Sequence, residues 1–92
     1  MVQTITLPQL IYNQIIAHAQ AGAPEEVCGI LSGRDGVATG LARGRNEAAN
    51  PLTTYWVDGE TLLKQFDFEE RGEAMIAIYH SHTVDEAYPS AI

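Results

Sequence analysis

Residues 74–82 read Ala-Met-Ile-Ala-Ile-Tyr-His-Ser-His, an unbroken apolar run that leads directly into two histidines. Six apolar residues in a row have the length of a strand and fall short of a typical buried helix, so the run predicts a buried central strand. Such a strand needs other elements around it, and 92 residues hold one core. With 46% hydrophobic and 18% charged residues the chain has the composition of a globular domain.

Residues 7–20 predict a helix. Pro8, Ile11, Tyr12, Ile15, Ile16 and Ala19 form one apolar stripe, Thr6 is the expected N-cap, and Gly22 and Pro24 stop the helix. His18, near the C-terminal end, is placed where a partial positive charge is favourable. Residues 26–32 predict a strand, and Gly33-Arg34-Asp35-Gly36 a turn, with Asp-Gly as the hairpin signal. Residues 37–45 alternate: Val37, Thr39, Leu41, Arg43 and Arg45 fall on one face, and the small Ala38, Gly40, Ala42 and Gly44 on the other, which invites close packing. A short strand is expected at Thr54–Val57. Asp58 is the expected N-cap of a second helix over 59–71, with Leu62, Leu63 and Phe66 on its buried side and Gly72 closing it. The order α-β-β-β-α-β is an α/β layer fold with a mixed sheet flanked by helices.

Composition excludes several functions. Twelve acidic against five basic residues give a net charge of −7, so neither nucleic acid nor an anionic membrane face is an expected partner. The single cysteine, Cys28, cannot form an intramolecular disulfide and suits a reducing cytoplasm. Residues 1–10 do not read as a signal peptide, and no apolar stretch approaches the roughly 18 residues that span a bilayer.

The chemistry gathers around His80-Ser81-His82. In extended chain, residues i and i+2 share a face, so the two imidazoles can grip one metal ion. On a helix the same spacing would separate them by about 200°. Imidazole is a common zinc ligand, and two protein ligands leave coordination positions open. The pair also sits at the end of a central strand, where α/β folds place their sites. The alternative is a pair of partly buried or capping histidines. Glu25-Glu26 lies at the start of the 26–32 strand, just before Val27-Cys28-Gly29, and a glutamate there can act as general base beside a metal-activated water. The alternative, which spacing alone favours, is two solvated loop residues. Ser90 reads as a turn residue after Pro89, or near a metal as a donor to an oxyanion. Cys28 reads as a small buried apolar side chain.

Together these pieces resemble the JAMM/MPN family of zinc metalloproteases, whose signature is a glutamate on an early strand followed by H-x-H-x7-S-x2-D. Glu26-Val27-Cys28-Gly29 looks like the glutamate strand, His80-Ser81-His82 matches H-x-H, and Ser90 follows after seven intervening residues. The resemblance implies a cytidine-deaminase-like fold, Zn2+ held by His80 and His82, Glu26 as general acid/base and Ser90 as oxyanion stabiliser. Thr83 stands where many eukaryotic members have proline, and Glu86–Ser90, with Asn46–Ala48, Tyr55 and Asp58, looks like the compact bacterial members. Some of those process ubiquitin-like sulfur-carrier proteins, releasing a C-terminal cysteine or a tail beyond a Gly-Gly end. The family's aspartate ligand would fall at position 93, one beyond Ile92, so the resemblance implies that 1–92 is the N-terminal part of the catalytic domain, without its later strands.

The expected function is therefore a zinc-dependent peptidase acting on a ubiquitin-like or sulfur-carrier protein in the cytoplasm. The alternative is a non-catalytic MPN-type interaction module, inactive as this 92-residue chain. A partial domain would expose a sheet edge, so pairing with another chain, including a second copy, is a further expectation.

Overall fold

The computed structural model describes residues 4–52, 55–82 and 88–91, with His82 and 88–91 described by backbone alone. The apolar run becomes an interior strand. The elements in chain order are α1 (Gln9–Gly22), β1 (Cys28–Arg34), β2 (Val37–Arg43), α2 (Gly59–Leu62), α3 (Gln65–Glu70), β3 (Ala74–His82) and β4 (Tyr88–Ala91). They build a four-stranded sheet in the order β2-β1-β3-β4. All three ladders are antiparallel, and its parallel component is the isolated Thr6–Val37 bridge.

Two apolar layers sandwich the sheet. On one face Ile11 and Ile15 of α1 pack with Leu31, Ala38, Ala77 and Tyr79. On the other, Cys28, Ile30, Val57 and Phe68 pack with the partly buried Tyr55, Leu62 and Ile78. Each aliphatic side chain taken fully out of water contributes about 1.5–3 kcal/mol. This two-sided cover explains why β3 is apolar on both faces.

Several expectations change in detail. Thr6 does not cap α1: its N–H donates to the Gly36 carbonyl and its carbonyl accepts from Ala38, so sheet pairing takes the residue and the helix begins after Pro8. Asp35 (φ 54°) and Gly36 (φ 78°) make the two-residue hairpin turn, and Gly33 and Arg34 belong to β1 instead. The alternation over 37–45 breaks at Thr39. Gly33 pairs with Ala38 but Ser32 with Gly40, so Thr39 is an inserted residue that puts Ala38 and Leu41 together on the α1 face. The expected strand at 54–57 is reduced to an Asn46–Val57 bridge, with Thr54 outside the described residues.

The second helix divides into α2 and α3. Lys64 N donates to Thr61 O and Phe66 N to Leu63 O, three-residue steps that shift the helical phase. That shift turns Leu63 (62% exposed) and Phe66 (57%) outward and buries Phe68 and Thr61. The expected burial of Leu63 and Phe66 is thus corrected.

Asp58 is the N-cap, and it does more. Its carboxylate accepts from Thr61 N (3.0 Å), Thr61 Oγ1 (2.7 Å) and Arg45 N (2.7 Å), with the Arg45 guanidinium at 3.5 Å. Burial pushes its pKa up, but the Thr61 hydroxyl, the Arg45 and Thr61 backbone N–H groups and the Arg45 charge outweigh that and hold it at about 2. Asp58→Ala leaves the Arg45 and Thr61 N–H groups without their acceptor, at about 1–3 kcal/mol for each group left buried. Urea unfolding should show the domain destabilised by about 2–4 kcal/mol, with Asp58→Asn intermediate.

Candidate active site

The end of β3 is where the chemistry-bearing residues meet. β3 stays extended through His80 and His82, the backbone that the chelate reading requires. His80 is buried, 5% exposed, and pairs with Cys28 on β1 and Ser90 on β4. Ser90, seven intervening residues after His82, is thus returned to the place opposite His80. His82 pairs with Tyr88.

The β1–β3 register also brings in Glu26. Ser81 N donates to Val27 O (3.0 Å), and Ser81 Oγ takes the Val27 N–H at 2.9 Å in place of a ladder carbonyl. Glu26 is the residue before this Val27–Ser81 contact and two before β1. Glu26 is 4% exposed while Glu25 is exposed, so the solvated-loop alternative holds for Glu25 and fails for Glu26. The Glu26 main chain is held at both ends: its N–H donates to Pro51 O (2.7 Å), and its carbonyl accepts from Asn46 Nδ2 (2.8 Å). Glu25, Glu26, Arg45 and Asn46 line an open cleft of about 300 Å³.

Tyr55 stacks on the His80 imidazole, with ring centroids 4.2 Å apart and planes 13° from parallel. Tyr55 reaches this place because Asn46 ties its segment down: Asn46 Oδ1 accepts from Trp56 N (3.0 Å) and Ala48 N (3.0 Å), and Glu47 N donates to Trp56 O (2.8 Å). Asn46, Tyr55 and Ser81 thus shape the site. No spacing rule singles them out, because each acts through contacts between distant parts of the chain.

Cys28 is fully buried, its Sγ 3.8 Å from the Arg45 carbonyl. Burial, and then the Asp58 charge, push its thiol up to about 11. It stays a protonated thiol at neutral pH, as a small buried side chain should. Among the described side chains, which do not include His82, no three His, Cys, Asp or Glu groups converge as a metal cage.

His18 behaves differently from its expected role as a helix-end cation. It is buried against the sheet, its Nδ1 2.7 Å from the Tyr79 hydroxyl and the rings edge to face. Burial, with a contribution from the Arg43 charge, lowers its pKa to about 4. The imidazole is therefore neutral at pH 7 and satisfied by a phenol instead of by the helix dipole. Tyr79 lies across Gly29, where a Cβ would come within 2.5 Å of the ring. Gly29→Ala should cost about 1–3 kcal/mol of stability by overpacking, read from the urea midpoint.

Residues 8–92 match the Prok-JAB family, described as prokaryotic homologs of the JAB domain. The chain is 38% identical over 88 residues to the CysO-cysteine peptidase of Mycobacterium tuberculosis, an alignment covering 87% of this chain and 56% of the relative. It is 35% identical over 86 residues to the desampylase of Haloferax volcanii (86% and 62% covered). It is 36% identical over 85 residues to the probable TtuB-protein conjugate cleaving protease of Thermus thermophilus (91% and 57% covered). A solution structure of protein DSY2949 from Desulfitobacterium hafniense superposes with a TM-score of 0.77 at 32% identity, over 95% of this chain and 62% of that one. The chain thus spans between 56% and 62% of the length of these proteins. A buried glutamate two residues before β1, a histidine pair ending β3 and a match over nearly the whole chain place this protein in the JAB/MPN family, in its prokaryotic branch.

Proposed function

We propose that this chain is the N-terminal part of a zinc-dependent peptidase that trims the C-terminal tail of a ubiquitin-like or sulfur-carrier protein ending in Gly-Gly. The observation that supports this reading is the burial of Glu26, two residues before β1, and of His80, which pairs with Cys28 at the start of that strand. The relatives that match are named for cleaving CysO-cysteine and TtuB conjugates, and for desampylation, which supports a carrier–tail bond as the substrate. No helix among the described residues is long and apolar enough to cross a membrane, and the lone thiol fits a cytoplasmic protein.

His80 and His82, two residues apart at the end of one extended strand, would hold the zinc through imidazole nitrogens, a donor type that suits it. When bound, zinc polarises the scissile carbonyl and lowers the pKa of a coordinated water to about 7. Glu26 performs the proton transfers. Its carboxylate takes a proton from the attacking water and returns it to the leaving amine nitrogen as the C–N bond breaks. The burial of Glu26 and the main-chain bond from Asn46 Nδ2 to its carbonyl support this role. The Ser90 hydroxyl donates a hydrogen bond to the oxygen that gains charge.

The test is a mass-spectrometric assay on a carrier protein carrying one extra cysteine after its Gly-Gly end. The expected product is the carrier shortened by one residue, with free cysteine released. An uncut adduct under conditions where the protein holds zinc would overturn the substrate assignment.

A further inference from the structure

The imidazole of His80 has a second neighbour besides the strands that flank it. We propose that Tyr55 is a positioning residue for His80, its ring holding the imidazole in the plane needed to grip a metal ion. The inference rests on the reading of His80 as a metal ligand and adds a residue to it. A histidine ring turns readily about its last side-chain bond, where the torsional wells are broad. A face-on neighbour 4.2 Å away and only 13° from parallel blocks that rotation, because a turned imidazole would run into the phenol. The neighbour is itself fixed. Tyr55 packs into the layer formed by Cys28, Ile30, Val57 and Phe68, and the next residue, Trp56, is bonded through its N–H to Asn46.

The same asparagine donates to the Glu26 carbonyl. The segment between β2 and α2 therefore touches both proposed halves of the site, His80 through an aromatic face and Glu26 through an amide. Side chains that orient a metal ligand from behind typically alter affinity by about 10–100-fold when removed. Here the orienting contact is a ring face, so its replacement by another flat ring should preserve it and by a flexible aliphatic chain should not.

The experiment measures zinc affinity of the purified protein by competition with a chromophoric chelator, for wild type, Tyr55→Phe, Tyr55→Leu and His80→Ala. Urea unfolding of the zinc-free proteins runs alongside. The expected result is that Tyr55→Phe binds zinc within about threefold of wild type while Tyr55→Leu binds about 10–100-fold more weakly, at similar zinc-free stability. NMR of the zinc-free wild type should also show the His80 ring protons shifted upfield by the stacked phenol, an effect that needs no variant to fold. Equal zinc affinity in Tyr55→Leu and wild type, with His80→Ala weakened, overturns the positioning role alone. Equal loss in Tyr55→Phe and Tyr55→Leu assigns the effect to the hydroxyl and overturns the stacking account. Unshifted His80 ring protons also contradict that account. A His80→Ala protein that binds zinc as tightly as wild type overturns the metal reading and this inference with it.

Discussion

Glu26→Gln should abolish tail cleavage, lowering the rate by about 10²–10⁴-fold while leaving zinc affinity and folding nearly unchanged. The substitution keeps the shape of the side chain and removes the group that accepts and returns a proton. The contacts that fix this position are main-chain ones, to Pro51 O and from Asn46 Nδ2, and a glutamine preserves both. Glu26 is also 4% exposed, so bulk water is poorly placed to substitute for its carboxylate. Rate and unfolding midpoint measured on the same preparation separate the two effects. A Glu26→Gln protein that cleaves at the wild-type rate would remove the residue from the mechanism.

Between pH 6.5 and 4 the protein should lose about 3 kcal/mol of stability that a His18→Gln variant does not lose. The sign follows from a folded pKa of about 4 against an ordinary value of 6.5. Within that window the unfolded chain holds a proton on His18 and the folded chain does not, so acid favours unfolding. The contribution is fully present above pH 6.5 and falls as the pH drops toward 4. The physical reason is burial beside the Tyr79 hydroxyl, with the Arg43 charge adding to it. Urea titrations of both proteins at several pH values, without metal, give the result as a difference, in which groups common to both cancel. Asp58, held at about 2, acts in a separate window between its usual carboxylate value and that pH, where further acid removes its contribution too. Parallel pH profiles for wild type and His18→Gln would show that the imidazole is not buried as a neutral group. Set against a typical stability of about 5–15 kcal/mol, the effect is large for a small domain.

The sequence announces the parts of this molecule that follow local rules. Helix α1, the Asp35-Gly36 turn, the Asp58 cap and the buried strand β3 are each written in spacing or turn chemistry. Strand β4 is not. Its Tyr-Pro-Ser-Ala stretch contains a proline, which argues against an interior strand, and the structure places it at the end of the sheet order where a missing N–H is tolerated. The inserted Thr39 and the break at Leu63-Lys64 arise from pairing and packing with distant segments, and they reverse which residues are buried. The site divides in the same way. The spacing of His80, His82 and Ser90 is legible because one hairpin register produces it. The burial of Glu26 depends on the Cys28–His80 pairing 52 residues apart in sequence, and the support from Asn46 and Tyr55 on a segment with no regular secondary structure.

The proposed metal site at the end of β3, with Glu26 beside it, rests on His80 and His82 holding one ion together. The most direct measurement is a zinc titration of the zinc-free protein against the same titration of the His80→Ala/His82→Ala double variant. The expected result is saturable binding of one zinc per chain in the wild type and its loss in the double variant, with both proteins folded. Equal binding by the two proteins, or none by the wild type, would contradict it.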